Sequence, residues 1–544
     1  MDAAPVPFSH LTAPLLQVEV LRSCRCTGEL SENNNFRRLR RGNCRIRNPE
    51  YIAMVRIDGV ARWLAAGFLL LAGAAAMAQS TSLTDLAARS NFNALERAAA
   101  NANQATYNQL FNPCSQGIGT CSAGDRVVFE NTRELVETAN ELLGSGSTQY
   151  SLGLDTENLG FALRWTAAEE LAAQGSSTTK FAANQLSALA TRVAALRWGV
   201  QGLRRAGNDD KDSDVLVAKT PAITYGSGGG AGADVAYEYD HWGWFVDGSF
   251  GYGSKDPTDL EDAFDFDGQE VTVGLDYRFS SAVVSGVIVG YSDKEVDFDS
   301  SRSIVDGGVK SQGYSVIAFA MLEGDAAYLT GSIGYQQLQH DVTRRITYPS
   351  FNPIVESVDS TASSSSDSGS FLATLGAGYS WRRGAFAAEP SLDVSYSDTT
   401  VDGFTERSVD NANAAAGNDP FNLKVGKQSI ESIDVAPGIK LQYVFAPKFG
   451  ALIPYLVGRY HLELSDDART ISAQYADAIG QLGSVAGSNF AVSTDAPDDK
   501  YYTAAGGCTV AFGSGLNGFV QFLKVFELDN YSDAVITGGF RYEF

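Results

Sequence analysis

From about Tyr237 to the C-terminus, apolar and polar residues alternate with a period of two. Trp242, Trp244, Val246, Gly248, Phe250 and Tyr252 fall on one face of a strand, and Phe245, Asp247, Ser249 and Gly251 on the other, because successive side chains of a strand point to opposite faces. Val271, Val273, Leu275, Tyr277 and Phe279 oppose Glu270, Thr272, Asp276 and Arg278 in the same way. At the chain end Phe544, Tyr542, Phe540, Gly538, Ile536 and Ala534 oppose Glu543, Arg541, Gly539, Thr537, Val535 and Asp533. The pattern predicts twelve strands, near 242–254, 267–279, 282–296, 309–322, 325–339, 369–382, 385–397, 429–446, 450–463, 500–513, 516–528 and 530–544. Each reaches the roughly 9–11 residues of a tilted membrane crossing.

The connections alternate too. Those near 280–281, 323–324, 383–384, 447–449 and 514–515 are tight, whereas those near 255–266, 297–308, 340–368, 398–428 and 464–499 are long and polar, with a last turn at Asp529. Outer-membrane barrels keep short periplasmic turns and longer outer loops, and set a lipid face against a wet lumen. The fold class expected is therefore an all-β membrane barrel of twelve antiparallel strands. Its lumen-facing residues would include Asp247, Glu270, Asp276, Glu389, Asp393 and Glu543, partly offset by Arg278, Arg382 and Arg541.

Upstream the period becomes helical. Leu83, Leu86 and Ala87, then Leu95, Ala98, Ala99 and Ala102, recur at that spacing. Further helices are expected from about Val127 to Leu143, from about Thr156 to Gln174, and from Phe181 to Arg205. In the last, Leu186, Leu189, Val193 and Leu196 share one face, and Arg192, Arg197, Arg204 and Arg205 carry charge. Residues 206–236 form an acidic, glycine-rich linker.

Arg56 and Arg62 precede an apolar run from Trp63 to Ala75, too short to span comfortably as a helix. Ala76-Met77-Ala78 then offers a small-x-small site, so residues 54–78 read as a secretory signal peptide cleaved before Gln79. Residues 1–53 read as an upstream extension with Met54 as the initiator; a genuine extended leader is the alternative. Cys24, Cys26 and Cys44 lack the paired spacing of a zinc site. Downstream of Gln79, Cys114 and Cys121 bracket a flexible hexapeptide, and an oxidising periplasm favours their disulfide. Cys508 stands alone on an expected strand.

Composition changes the picture in two places. A mean hydropathy of -0.11 looks soluble, yet alternation halves the hydropathy of every spanning strand. The formal charge is -23, and because residues 1–78 hold 10 Arg, no Lys and 6 acidic residues, the remainder stands at -27. So acidic a product is a poor partner for phosphate backbones, and no nucleic-acid binding is expected. Of the four histidines, His10 lies in the leader and His241, His340 and His461 in the barrel segment. A Ser-His-Asp or Cys-His site confined to residues 79–236 therefore lacks its base. G-x-S-x-G is absent there, and Glu169-Glu170 reads as a solvated helix face. No enzymatic activity, cofactor or metal site is expected.

The stretches WGWFVDGSFGYGSKD at Trp242–Asp256, FDFDGQEVTVGLDYRFS at Phe264–Ser280 and VVSGVIVGYSDKEVDFD at Val283–Asp299 resemble the opening strands of autotransporter translocator barrels. QLSALATRVAALRWGVQGLRRAG at Gln185–Gly207 resembles the helical segment that precedes those barrels, and the terminal Phe544 resembles an outer-membrane sorting signal. The resemblance covers about residues 185–544. It implies outer-membrane lipid as surroundings, the secretion translocon and barrel-assembly machinery as partners in biogenesis, and a pore threaded by the preceding segment. Residues 79–180 would then be a passenger, 181–236 the pore helix and linker, and 237–544 the barrel. The passenger departs from the family's usual β-helical stalk in being short and helical.

Three functions stay open on these grounds. The first is a monomeric autotransporter that anchors its helical passenger at the cell surface, with Arg192 and Arg197 meeting an acidic lumen wall. The second is an outer-membrane pore or adhesin with a periplasmic helical domain. The third is an autotransported enzyme.

Overall fold

Twelve strands pair antiparallel in chain order, and the last returns to the first. In this computed structural model they are β1 (Trp242–Lys255), β2 (Phe264–Arg278), β3 (Val283–Phe298), β4 (Asp306–Glu323), β5 (Ala327–Tyr348) and β6 (Val358–Tyr379), followed by β7 (Phe386–Val401), β8 (Gln428–Tyr443), β9 (Gly450–Glu463), β10 (Lys500–Phe512), β11 (Leu516–Phe526) and β12 (Tyr531–Glu543). The structure describes residues 80–115, 121–168, 170–173, 241–298, 301, 303–410, 421–447, 450–465, 467–483, 488–512 and 516–543. All belong to the unit Met77–Phe544; the leading unit Met1–Ala76 lies outside them. β1 pairs with β12 from Gly243↔Glu543 to Lys255↔Tyr531, which closes the barrel.

The alternation read from the sequence becomes an inside and an outside. Trp242, Trp244, Phe250 and Tyr252 of β1 are exposed outward, while Phe245 and Asp247 are buried. Tyr291, Tyr314, Tyr335 and Phe371 stand on neighbouring strands as an outward aromatic belt. A second belt, including Trp242, Trp381, Tyr443 and Tyr542, lies toward the tight turns. Aromatic girdles mark the two interfaces of a membrane slab. Beyond Tyr335 the outward residues of β5 turn polar, as Gln337, Gln339, Asp341, Thr343 and Arg345.

Here the structure corrects the sequence reading. The 340–368 connection is mostly strand: β5 and β6 run on as 22-residue strands and leave only 349–357 between them. The 402–427 and 464–499 connections are also ordered in part, forming a four-stranded sheet of Phe404–Thr405, Leu423–Val425, Thr470–Tyr475 and Phe490–Ser493.

Among the described residues, four helices precede the barrel: α1 (Ser82–Arg89), α2 (Ala94–Ser115), α3 (Ala123–Leu143) and α4 (Thr156–Ala167). Their ends follow from side-chain caps that satisfy orphan backbone groups. Asn93 and Glu96 exchange hydrogen bonds of 2.8 Å at the start of α2, and Ser122 with Asp125 closes a capping box on α3. Asp155 accepts from the Asn158 amide at the start of α4. Gly144 (φ 65°) ends α3 in the left-handed conformation that a residue without Cβ adopts freely. α4 stops at Ala167, short of the expected Gln174, because Ala168 turns left-handed (φ 57°). Glu170 is fully buried there, not on a solvated face.

Candidate functional site

The helices sit on the barrel end that carries the long connections. Leu83, Leu95, Leu110, Val136 and Leu163 form one continuous core with Val342, Ile346 and Tyr348 of β5 and with Leu423, Ile471 and Phe490 of the loop sheet. Burial of such side chains is worth about 1.5–3 kcal/mol each, so the loops supply a large share of what holds the helices.

Polar contacts fix this junction. Arg344 projects inward from β5, nine residues beyond Tyr335, which is roughly 30 Å along the strand. Its Nε and Nη2 donate to the two carboxylate oxygens of Glu406 at 3.1 and 2.7 Å, and Nη2 also donates to the Phe421 carbonyl at 2.7 Å. Nη1 donates to the Trp165 carbonyl at the end of α4, at 2.8 Å. Glu406 in turn accepts from the Leu423 amide at 2.8 Å. Both side chains are buried, and the two-pronged geometry and extra acceptors are what a buried pair needs to offset lost hydration. Tyr475 donates from its hydroxyl to Asn103 Oδ1 at 2.6 Å; burial raises its phenol pKa, so it stays a donor. Asn352 Nδ2 donates to the carbonyls of Gln149 and Ser151, and Arg469 Nη2 to that of Ala172 at 3.3 Å. Burial lowers the Arg469 pKa, against the raising effect of nearby Glu261.

Inside the barrel the wall divides. Phe245, Val284, Ile288, Ile317, Phe319, Met321 and Leu372 make an apolar patch. Elsewhere a cavity of about 860 Å³ is bordered by Asp247, Glu270, Glu389, Asp393, Arg459 and His461. Asp247, Glu270, Asp276, Arg278, Glu389 and Arg541 are buried on the inner face, with Asp393 half-buried. The wall also balances part of its own charge. Lys294 Nζ lies 3.1 Å from Glu270, Arg541 3.8 Å from Asp276, and Arg459 3.9 Å from Asp393. His461 bridges three strands, bonded to Asp434 and Thr503 at 3.0 Å each and stacked on Tyr501 at 4.4 Å.

Sequence reasoning missed Arg344, Glu406, Lys294 and the Asp434–His461–Thr503 bridge. Inward parity on β5 was the signal for Arg344, hidden while that stretch was read as loop. Cys114 and Cys121 form a disulfide, and Cys508 is free and half-buried on β10. Phe540 and Tyr542 face outward, and Glu543 pairs in register with Gly243. Ala76, Ala78, Gln79, Arg192, Arg197 and Phe544 lie outside the described residues, as does the expected helix 181–205.

A closed barrel with lipid-facing aromatic belts and a polar lumen is an outer-membrane protein. Residues 244–522 match the family model of the autotransporter β-domain, and the chain belongs to that family. Its barrel resides in the bacterial outer membrane, the setting of these domains, where barrels of this type are inserted by the barrel-assembly machinery. No curated protein matches the chain. Among solved structures it is similar to the translocator domain of the autotransporter NalP from Neisseria meningitidis, at 14% identity over 57% of this chain and 90% of that one, TM-score 0.41. It is also similar to the β-domain of the Bordetella autotransporter BrkA, at 15% identity over 56% of this chain and 100% of that one, TM-score 0.36. The transport unit of AIDA-I from Escherichia coli aligns at 11% identity over 57% of this chain and 93% of that one, TM-score 0.35.

Proposed function

We propose that this autotransporter carries its helical domain to the cell surface and keeps it there, docked over the outer mouth of its own barrel. The observation that carries the reading is the shared core. Helices α1–α4 pack on the long-connection end, opposite the tight turns, with Arg344 holding the Trp165 carbonyl beyond the aromatic belt. Family barrels direct their long connections outward. Ala173 stands at that end while β1 starts from Trp242 at the other, which supports a route for the intervening chain through the barrel. In the proposal residues 181–205 thread the lumen, with Arg192 and Arg197 toward Asp247, Glu270, Glu389 and Asp393 and the helix's apolar face toward Ile288 and Phe319. The protein acts as a monomer, and by display rather than catalysis.

Cysteine labelling tests this. On intact cells an impermeant thiol reagent is expected to reach Ser147→Cys, whose site is exposed, and to miss Gly230→Cys in the linker. Labelling of Ser147→Cys only after the outer membrane is permeabilised would replace display with a periplasmic helical domain beneath a pore.

A further inference from the structure

Lys255, the last residue of β1, points inward and is 1% exposed. Across the ladders it faces Phe264 on one side and Tyr531 on the other. Those rings contact each other, and Phe264 also meets Phe266 and Phe298, at centroid distances of 5.4–6.4 Å. Into this aromatic surround come two carboxylates from different connections. Asp495 Oδ2 lies 2.6 Å from Lys255 Nζ, and Glu261 Oε2 lies 3.3 Å from it. Glu261 is held in place, because its other oxygen accepts the Asp495 amide at 2.8 Å. Thr258 Oγ1 donates to the Asp495 carboxylate, 3.1 and 2.9 Å from its two oxygens.

We propose that Lys255 and Asp495 condense spontaneously into an intramolecular isopeptide bond, with Glu261 as the proton carrier. Lysine is a nucleophile only as the free amine, and an adjacent base is what activates such a group. Glu261 takes a proton from the Lys255 ammonium, and the amine nitrogen attacks Asp495 Cγ. Thr258 donates to the oxygen on which negative charge develops, the role of an oxyanion donor. Glu261 returns its proton to the departing Asp495 oxygen, which takes a second from the nitrogen and leaves as water. An ammonium and a carboxylate thus become a secondary amide plus one water, with no oxidant or co-reactant. Burying three charges together is costly, and amide formation removes one of each sign. Asp495 retains about 30% side-chain exposure toward the lumen cavity, which gives the water an exit.

The bond would join the barrel seam to the 464–499 connection, the one that carries strands Thr470–Tyr475 and Phe490–Ser493. It stands independently of whether the helical domain is displayed.

Mass spectrometry of the full chain purified from outer membranes and digested with trypsin decides the matter. A linked protein yields peptide Thr220–Arg278, uncut at Lys255, joined to Thr470–Lys500 and lighter than the two together by one water. Lys255→Arg, which keeps the cation, is expected to lose the branched peptide, and Glu261→Gln to reduce it more than tenfold. Recovery of unmodified Thr220–Lys255 and Thr470–Lys500 as the main products of the natural sequence would overturn the bond and leave an ordinary buried ion pair. A branched peptide at full yield in Glu261→Gln would overturn the role given to Glu261.

Discussion

The guanidinium of Arg344 reaches the backbone carbonyl of Trp165 at 2.8 Å, across 179 residues of sequence, while two of its nitrogens hold Glu406. One side chain on a barrel strand thereby grips both the end of α4 and the connection that follows β7.

Arg344→Ala removes that grip and leaves Glu406 buried without its cation, a change that costs about 3–5 kcal/mol for pairs of this kind. The helical domain is expected to become protease-sensitive while the barrel keeps its heat-modifiable mobility. Limited proteolysis of outer-membrane preparations, with the double variant Arg344→Met and Glu406→Leu as a milder comparison, measures it. Equal resistance in Arg344→Ala and the natural sequence would show that the junction does not depend on this pair.

Glu134 on α3 is half-buried, and desolvation raises its carboxyl pKa to about 8, with Glu130 and Glu137 pushing the same way and Arg133 opposing. A folded pKa above the unfolded one means that the protonated form is favoured by folding. The stabilisation is therefore complete below the ordinary glutamate value of 4.5 and is lost as pH rises toward about 8. Thermal melts of the helical domain are expected to fall across that interval. Glu134→Gln should flatten the slope and add on the order of 1–2 kcal/mol at pH 8, discounted for partial exposure. A slope unchanged in the glutamine variant would assign the pH dependence to other groups.

The outward face of β12 ends in Phe540 and Tyr542, and Phe540 is 65% exposed. Deleting Phe544 is expected to reduce barrel insertion, because a terminal aromatic serves both assembly and interfacial anchoring. Phe540→Asp should do so as well, since it sets a charge against lipid. Quantifying the heat-modifiable band in outer-membrane fractions reads both. Full yield from either variant would remove that residue from the assembly signal.

The barrel was legible because membrane strands carry their register openly: Val271, Val273 and Leu275 face lipid while Glu270, Thr272 and Asp276 face in. That code fades above the aromatic belt, where both faces of a strand are polar or the inner one meets another domain. The run Ser363–Ser368 of β6 shows no alternation, and so reads as loop although it is fully paired with β5. The junction was less legible still. Arg344 and Glu406 are ordinary charged residues until β5 extends far enough to bury them. Glu170 looked like half of a solvated acidic pair, but the left-handed turn at Ala168 carries it into the interior. Parity pointed these acids inward; the lysine beside Glu270 comes from the neighbouring strand and the arginines beside Asp276 and Asp393 from the next but one, and register is what brings them together.

The continuous core that joins α1–α4 to the loop sheet bears on the order of events during biogenesis. Leu163 and Leu110 have only part of their packing partners within residues 80–173; Ile471, Phe490 and Val342 arrive from a barrel that closes only when β12 meets β1. Before that closure the helical segment is a half-finished interior, short of the burial that offsets the entropy of ordering a chain. A cargo that must pass a narrow pore as an extended or singly helical thread has to avoid folding too early. If the helical domain is displayed as proposed, it stays pliable by ownership: the missing half of its core would stand on the far side of the membrane.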